Sequence, residues 1–347
     1  AGRIPLVVAG THGKTTTASM AATLLKHVDA DPGWFIGGVP QSLESGCALG
    51  AENAPFVIEG DEYDSAFFDK RSKFIHYFPQ VLILNNLEFD HADIFRDLQD
   101  VRRSFSHLIR LVPSDGHILY NGDDPNLDSL FPVSWTKAVR VGFKVSNDLR
   151  IVDFQESSEG SSFTLQWRGE EWGSLKWSLQ GAYNARNAAM AALGSALVLN
   201  RKDPPQLDLR ALNTFRGVRR RQEVLLRKPD LILMEDFGHH PTAVQTVLDS
   251  LRSQYPQAHL AACFEPRSNT SATVVLQSQW ERAFRVADSV WLAPIHRAQE
   301  IPLNNRLNRD SITMHMEDAG KEAFVFDLFS SLRDALLQRI QSRGDQA

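Results

Sequence analysis

Apolar residues gather at the start of the chain into an unbroken run over 4–9, followed by a glycine-containing break at 10–15 and an alanine-rich stretch through Leu25. This succession predicts strand, loop and helix, a βα unit that opens the chain. Short continuous apolar runs at 56–59 and 81–85 have the character of strands covered on both faces. Between 97 and 109, Leu98, Val101, Phe105, Leu108 and Ile109 recur at helical spacing, which predicts a helix packed on the sheet. Further strands are predicted at 117–120, before the turn-forming Asn121-Gly122-Asp123-Asp124-Pro125, and at 138–141. From 149 to 180 the segments 163–167 and 175–179 are broken by glycine and serine, which predicts a small antiparallel appendage. A helix follows over 184–199.

Residues 200–206, Asn200-Arg201-Lys202-Asp203-Pro204-Pro205-Gln206, are polar and carry two consecutive prolines. They place a domain boundary between 1–205 and 206–347. The second domain reads as α/β, with strands at 231–234, 260–263 and 290–293. Val244, Val247, Leu248 and Leu251 mark a helix between the first two, and 325–337 reads as a helix or a strand-to-helix change. No internal repeat stands out.

Composition narrows the class. Of 347 residues 43% are hydrophobic and 23% charged, as in an ordinary globular protein. A formal charge of -5 supplies no general attraction to nucleic acid or to an anionic membrane. No apolar run reaches the roughly 18 residues of a membrane span, which argues against stable membrane insertion. Cys47 and Cys263 are far apart and form neither a zinc cluster nor a disulfide framework, so a reducing, cytoplasmic setting is expected.

Chemistry concentrates in a few segments. In GTHGKTTT, Gly10 to Thr17, a strand delivers a glycine turn to a helix N-terminus. Gly13 lets backbone approach an anion, Lys14 can offset phosphate charge and Thr15 can offer a hydroxyl to magnesium. Val8 stands where the usual phosphate loop has its first glycine, so the loop is shorter, and an unoccupied glycine turn is the bland alternative. Glu59 ends the strand of FVIEGDEYD and can hold a metal, while Asp61, Glu62 and Asp64 form either a solvated rim or a substrate-orienting group. His91, in NNLEFDHAD, is either a metal ligand or part of a buried hydrogen-bond network, with Asp90 positioning it or capping a helix.

Asn184 and Asn187 share a helical face in GAYNARNAA and can pair with a purine edge or tie the appendage to the main domain, with helix capping the simpler role for Asn184. In FRGVRRRQE, Arg219, Arg220 and Arg221 can stabilise transferring phosphate, and Arg216 suits a surface ion pair; a solvated face is the alternative for the whole run. EDFGHHPTAV brings Asp236, His239 and His240 to a strand end, with Pro241 fitted to the first turn of a helix. FEPRSNT offers Arg267, Ser268 and Asn269 for an acidic or zwitterionic ligand.

Taken in order, GTHGKTTT, FVIEGDEYD, NNLEFDH, GAYNARNAA, FRGVRRRQE and EDFGHHPT resemble the Mur ligase family across nearly the whole chain. The resemblance implies an α/β P-loop central ATPase domain followed by a Rossmann-like C-terminal domain that binds the peptide substrate. It also implies that the UDP-sugar-binding domain upstream in such ligases is absent here, that the C-terminal domain is incomplete and that the chain alone is catalytically incomplete. By the same resemblance Gly10, Gly13, Lys14, Thr15 and Thr16 handle ATP phosphate, and Thr15, Glu59 and His91 hold Mg2+. Asn184 and Asn187 lie on the adenine side, Arg221 faces phosphate and Asp236 faces the nucleotide. Lys14, Arg221 and His240 are the implied catalytic residues, and Arg267, Ser268 and Asn269 the implied peptide contacts.

Two departures are visible: Tyr183 replaces the histidine of some relatives, and residues 102–111 contain no lysine that could be carbamylated. DEYDSAFFDKRSKF and FEPRSNT resemble the branch that joins UDP-N-acetylmuramate to L-alanyl-gamma-D-glutamyl-meso-diaminopimelate through an acyl phosphate, in peptidoglycan recycling. The L-alanine-adding branch is the alternative, followed by a non-catalytic nucleotide-binding protein. A nucleic-acid ATPase finds no support in charge or aromatic pattern, and no protein partner is implied.

Overall fold

The structure, a computed structural model, describes residues 2–200 and 202–344; Arg201 of the polar 200–206 stretch and the closing 345–347 lie outside them. The chain divides into two compact units, one comprising residues 2–89 and 94–219, the other Asp90–Asp93 and the residues from Arg220 onward.

In the first unit, β1 (Ile4–Ala9) leads through the glycine loop into α1 (Lys14–His27). There follow β2 (Gly33–Phe35), β3 (Cys47–Ala48), β4 (Pro55–Glu59), the hairpin β5 (Asp64–Ala66) and β6 (Asp69–Ser72), β7 (Val81–Leu84) and α2 (Leu98–Ile109). The unit continues through β8 (His117–Asn121), α3 (Pro125–Asp128), β9 (Lys137–Gly142), β10 (Leu149–Ser157), β11 (Gly160–Trp167), β12 (Glu170–Trp177), α4 (Ala182–Val198) and α5 (Arg210–Asn213).

Ten strands form one sheet in the order β12-β11-β10-β9-β8-β7-β1-β4-β2-β3. β1 runs parallel between β4 and β7, with Leu6 opposite both Val57 and Val81. The two-residue side-chain period divides β1 between two cores. Leu6 and Val8 join α1 and α4 on one face, and Val7 and Ala9 join Val101, Phe105 and Leu108 of α2 on the other. Small residues let the helices come close. A Cβ on Gly194 of α4 would sit 2.7 Å from Ile83 Cδ1, and buried alanines line the rest of that helix.

Two expectations need correction here. The 149–180 segment is antiparallel, but it is no separate appendage: Leu149 and Arg150 of β10 pair parallel with Val141 and Gly142 of β9, so the sheet simply continues. The boundary at 205/206 is also displaced, to Arg219/Arg220. The prolines make only a single short 3-10 turn, with Pro204 itself buried, after which Leu207, Leu209, Leu212, Phe215 and Val218 return to the first core. Trp172 Nε1 donates to the Leu207 carbonyl at 3.2 Å and Val218 bridges to Pro40, which tie this return down.

The second unit begins with the antiparallel pair β13 (Glu223–Arg227) and β14 (Ile232–Glu235). It continues as α6 (Pro241–Gln254), β15 (Ala261–Phe264), α7 (Gln277–Ala283), β16 (Ser289–Leu292), α8 (Arg309–Asp318), β17 (Glu322–Val325) and α9 (Phe329–Gly344). β15, β16 and β17 form a parallel sheet, backed by Trp280 against Phe264 and Phe284 with ring centroids 4.4 and 5.8 Å away. The strand expected at 231–234 is therefore not part of that sheet; it pairs with Glu223–Arg227, a strand hidden in the sequence behind the arginine run. No helix among the described residues is long and apolar enough to cross a membrane.

Asp288 ties β16 to its surroundings. Its carboxylate accepts from the Leu260 amide and pairs with Arg252 and Lys321. Burial alone would raise its pKa, but these partners outweigh burial and bring it down to about 2 from 3.8. Because the folded value is the lower one, the stabilisation is complete above about pH 5 and is lost as pH falls from about 4 towards 2. After allowance for solvent screening it amounts to about 1–2 kcal/mol. Thermal unfolding of Asp288→Asn is expected to show a lower midpoint at pH 7 and a flatter acid limb; a wild-type acid limb would refute the linkage.

Candidate functional site

The carboxyl ends of β1, β4 and β7 lie side by side, and the loop between β1 and α1 crosses that edge. Gly10 and Gly13 have φ of 134° and 80°, a region that L side chains rarely adopt. Crowding reinforces the choice, since a Cβ on Gly13 would lie 2.7 Å from Asn187 Oδ1 and 3.0 Å from Asn85 Nδ2. Gly13 is also the N-cap of α1, so no side chain caps the helix. Its first-turn amides therefore present a positive helix end across an open glycine surface, an arrangement suited to phosphate.

Around this turn the structure collects Lys14, Thr15 and Glu59. Thr15 Oγ1 donates to Glu59 Oε1 at 2.7 Å, and Gly37 N donates to Glu59 Oε2 at 2.7 Å. A hydroxyl and a carboxylate at this spacing are hard oxygen donors, the chemistry that Mg2+ prefers. Lys14 Nζ donates to the Gly10 carbonyl at 2.7 Å, to the Thr11 carbonyl at 3.3 Å and to Glu62 Oε1 at 2.9 Å. Thr16 is buried in the first turn of α1. Asn184 and Asn187 are buried on α4: Asn184 Nδ2 donates to the Gln180 carbonyl, and Asn187 Nδ2 to Asn184 Oδ1 at 3.3 Å. Asn187 thus borders Gly13 itself, with Asn184 one turn behind it.

His91, Arg221, Asp236, His240, Arg267, Ser268 and Asn269 belong to the second unit. His91 lies in Asp90–Asp93, so the first unit on its own brings together Thr15 and Glu59 without it. His91 takes a φ of 55°, and its amide donates to Asp90 Oδ1 at 2.7 Å. Burial would raise the Asp90 pKa, yet the hydrogen bond from His239 and the charges of His91, His239 and His240 together hold it well below the usual carboxylate range. His240 is buried at the N-cap of α6, where its Nδ1 accepts from Thr242 N at 3.3 Å. Asp236 accepts from the amides of Gln222 at 2.9 Å and Gly238 at 2.6 Å. Its burial raises the carboxyl despite those amides and the nearby Arg221 charge. Arg221 stacks on the Phe237 ring at 5.2 Å, whereas Arg220 both covers that ring and pairs with Glu235 at 2.6 Å.

In the loop after β15, Arg267 is exposed and 3.8 Å from Glu265, and Ser268 exchanges hydrogen bonds with Ser271. Asn269 Nδ2 donates to Asp93 Oδ2 at 2.8 Å. Arg216, read as a surface ion-pair residue, has no such pair among the described residues; its amide donates to Ser42 Oγ at 3.0 Å.

Residues 8–196 match the family model described as Mur ligase middle domain, more than half of the chain. The chain belongs to the Mur ligase family. Over 294 residues it is 42% identical to the UDP-N-acetylmuramate--L-alanyl-gamma-D-glutamyl-meso-2,6-diaminoheptandioate ligase of Escherichia coli strain K12, a match covering 84% of this chain and 63% of that protein. The protein of the same description from Haemophilus influenzae is 35% identical over 289 residues, covering 83% and 62%. The chain thus spans less than two thirds of the length of these two relatives. Among solved structures, a murein peptide ligase from Psychrobacter arcticus superposes with a TM-score of 0.68 at 31% identity, covering 96% of this chain and 72% of that one.

In this Mur ligase chain the sequence reading missed the residues that lace the loop down. Asn86 Oδ1 accepts from His12 N at 2.7 Å and its Nδ2 donates to the His12 carbonyl at 3.2 Å. Thr11 Oγ1 accepts from Glu88 N at 2.9 Å, and Asn85 Nδ2 donates to Thr17 Oγ1 at 3.0 Å. The available signal was the pair Asn85-Asn86, two polar residues directly after a wholly buried strand. Asn86→Ala removes two hydrogen bonds, worth about 1–2 kcal/mol. Calorimetry is expected to show ADP affinity roughly five- to tenfold weaker; unchanged affinity in the folded variant would show that the lacing does not hold the loop for nucleotide.

Proposed function

We propose that the protein works as an ATP-dependent ligase that forms an amide bond between UDP-N-acetylmuramate and L-alanyl-gamma-D-glutamyl-meso-diaminopimelate, in the cytoplasm and in peptidoglycan recycling. The observation that carries the nucleotide half of this reading is the uncapped, glycine-lined start of α1 with Lys14, Thr15 and Glu59 gathered around it. The substrate half rests on likeness to the two diaminoheptandioate ligases.

In this reading the loop amides and Lys14 bind the ATP phosphates, and Asn184 and Asn187 serve the adenine side. Thr15 and Glu59 hold Mg2+, with His91 as a further ligand; the bound ion supplies neutralisation of phosphate charge. Phosphoryl transfer from ATP to the lactyl carboxylate of the sugar breaks the bond between the β–γ bridging oxygen and the γ-phosphorus. It gives an acyl phosphate and ADP. The peptide amine then attacks the acyl carbon, loses a proton and expels inorganic phosphate. Lys14 and Arg221 counter negative charge in the first step, Asp236 orients the nucleotide side, and His240 is assigned to the reacting cleft. Arg267, Ser268 and Asn269 suit the carboxylates and amide groups of the peptide.

The test is an incubation of the full-length gene product with ATP, magnesium, UDP-N-acetylmuramate and either the tripeptide or L-alanine, read by mass spectrometry. A UDP-N-acetylmuramyl-tripeptide product supports the reading. Preferential use of L-alanine would transfer the protein to the alanine-adding branch, and ATP binding without either adduct would make it a nucleotide-binding protein only.

A further inference from the structure

The acidic segment after β4 divides in an unexpected way. Asp61 turns to the Tyr63 amide and to Lys73 at 2.8 Å, and Asp64 pairs with Lys70 at 2.9 Å. Glu62 alone of these three meets the phosphate loop. Its side chain is 4% exposed, and that of Lys14, 2.9 Å away, is 15% exposed.

An ammonium has three N–H donors. Those of Lys14 are matched by three acceptors, the carbonyls of Gly10 and Thr11 and Glu62 Oε1. No donor is left over for an incoming phosphate, so Lys14 must surrender at least one partner to bind it. The two carbonyls are neutral and can be given up cheaply. The carboxylate is not given up so readily, because pulling a nearly buried ion pair apart costs more than releasing a neutral carbonyl. Glu62 therefore restrains the ammonium and offsets part of the charge that a phosphate would otherwise meet.

We propose that Glu62 is a positioning residue for Lys14, a counter-charge that holds the ammonium against the loop and lowers nucleotide affinity. This rests on the reading that the loop binds nucleotide phosphate. Glu62→Gln keeps the size of the side chain and removes its charge, so the full ammonium charge becomes available at the phosphate. ADP affinity is expected to rise about tenfold, the order expected when one nearby charge is removed from a partly screened site. A role in structure alone would give the opposite sign, since a loosened site binds more weakly.

The experiment is a calorimetric ADP titration of the wild-type chain, Glu62→Gln, Lys14→Met and the double variant, each with its thermal unfolding midpoint. Tighter binding by Glu62→Gln, with the gain absent or much reduced in the Lys14→Met background, is the expected result. Unchanged or weaker binding by folded Glu62→Gln overturns the proposal. An equal or larger gain in the Lys14→Met background overturns it too, because the carboxylate would then act on phosphate directly and not through the lysine. Should Glu62→Gln fail to fold, Glu62→Asp keeps the charge but withdraws it by one methylene, and ADP affinity unchanged from wild type would be the refuting result. Absence of ADP binding by the wild-type chain would remove the nucleotide reading together with this one, whereas wild-type binding with no response at Glu62 removes this proposal only.

Discussion

Lys14→Met is expected to weaken ADP binding by roughly 100-fold or more and to lower stability by about 3 kcal/mol. The first effect follows from losing a charge-assisted hydrogen bond to phosphate in a site where water competes poorly. The second has a separate origin. Glu62, nearly excluded from solvent, loses the cation 2.9 Å away, and removing one side of a nearly buried ion pair costs stability because the desolvated carboxylate no longer has that charge opposite it. The two effects can be separated by calorimetry and thermal unfolding. Adding Glu62→Gln to Lys14→Met should recover much of the stability, because both charges are then gone, while ADP binding remains weak. A variant that binds ADP like the wild type would remove Lys14 from phosphate handling.

Glu59→Gln is expected to erase most of the magnesium dependence of ADP binding. Glu59 faces Thr15 with one oxygen and the Gly37 amide with the other, both at 2.7 Å. A carboxamide has one acceptor oxygen, so it cannot satisfy both contacts as the carboxylate does, and it carries no charge to attract a divalent cation. With magnesium present, affinity should fall by about ten- to 100-fold, towards the value measured with chelator, an order set by the loss of one charged ligand. Without magnesium, wild type and variant should differ little. An unchanged increment on adding magnesium would exclude Glu59 as a ligand.

Several features that depend on neighbours along the chain were declared by the residues themselves. The 4–9 run, the glycine turn and the alanine-rich helix were readable because one buried strand, two positive-φ glycines and one helix follow each other within a short stretch of chain. The amphipathic period over 97–109 likewise corresponds to α2 at Leu98–Ile109. Pro241 at the first turn of α6 shows the same locality, since its fixed φ and missing N–H suit that position whatever packs around it.

Features that depended on register were not readable. Thr15 and Glu59 are 44 residues apart, Lys14 and Glu62 are 48 apart, and His12 and Asn86 are 74 apart. They meet because β4 and β7 pair in parallel on either side of β1, which brings three loop ends to one edge. Strand pairing also decided that the 149–180 segment extends the main sheet, and that 223–227 takes 232–235 as its partner. Burial decided the boundary: the Pro204-Pro205 turn looks like a linker by composition, but the leucines beyond it had an apolar face waiting on the first unit. Local periodicity and turn stereochemistry are written in adjacent residues, so the sequence by itself determined the α/β class, most elements and the phosphate-type loop. Only the tertiary structure decided which distant carboxylates and carboxamides surround that loop, because their approach is set by strand order, register and the burial of surfaces far apart in the chain.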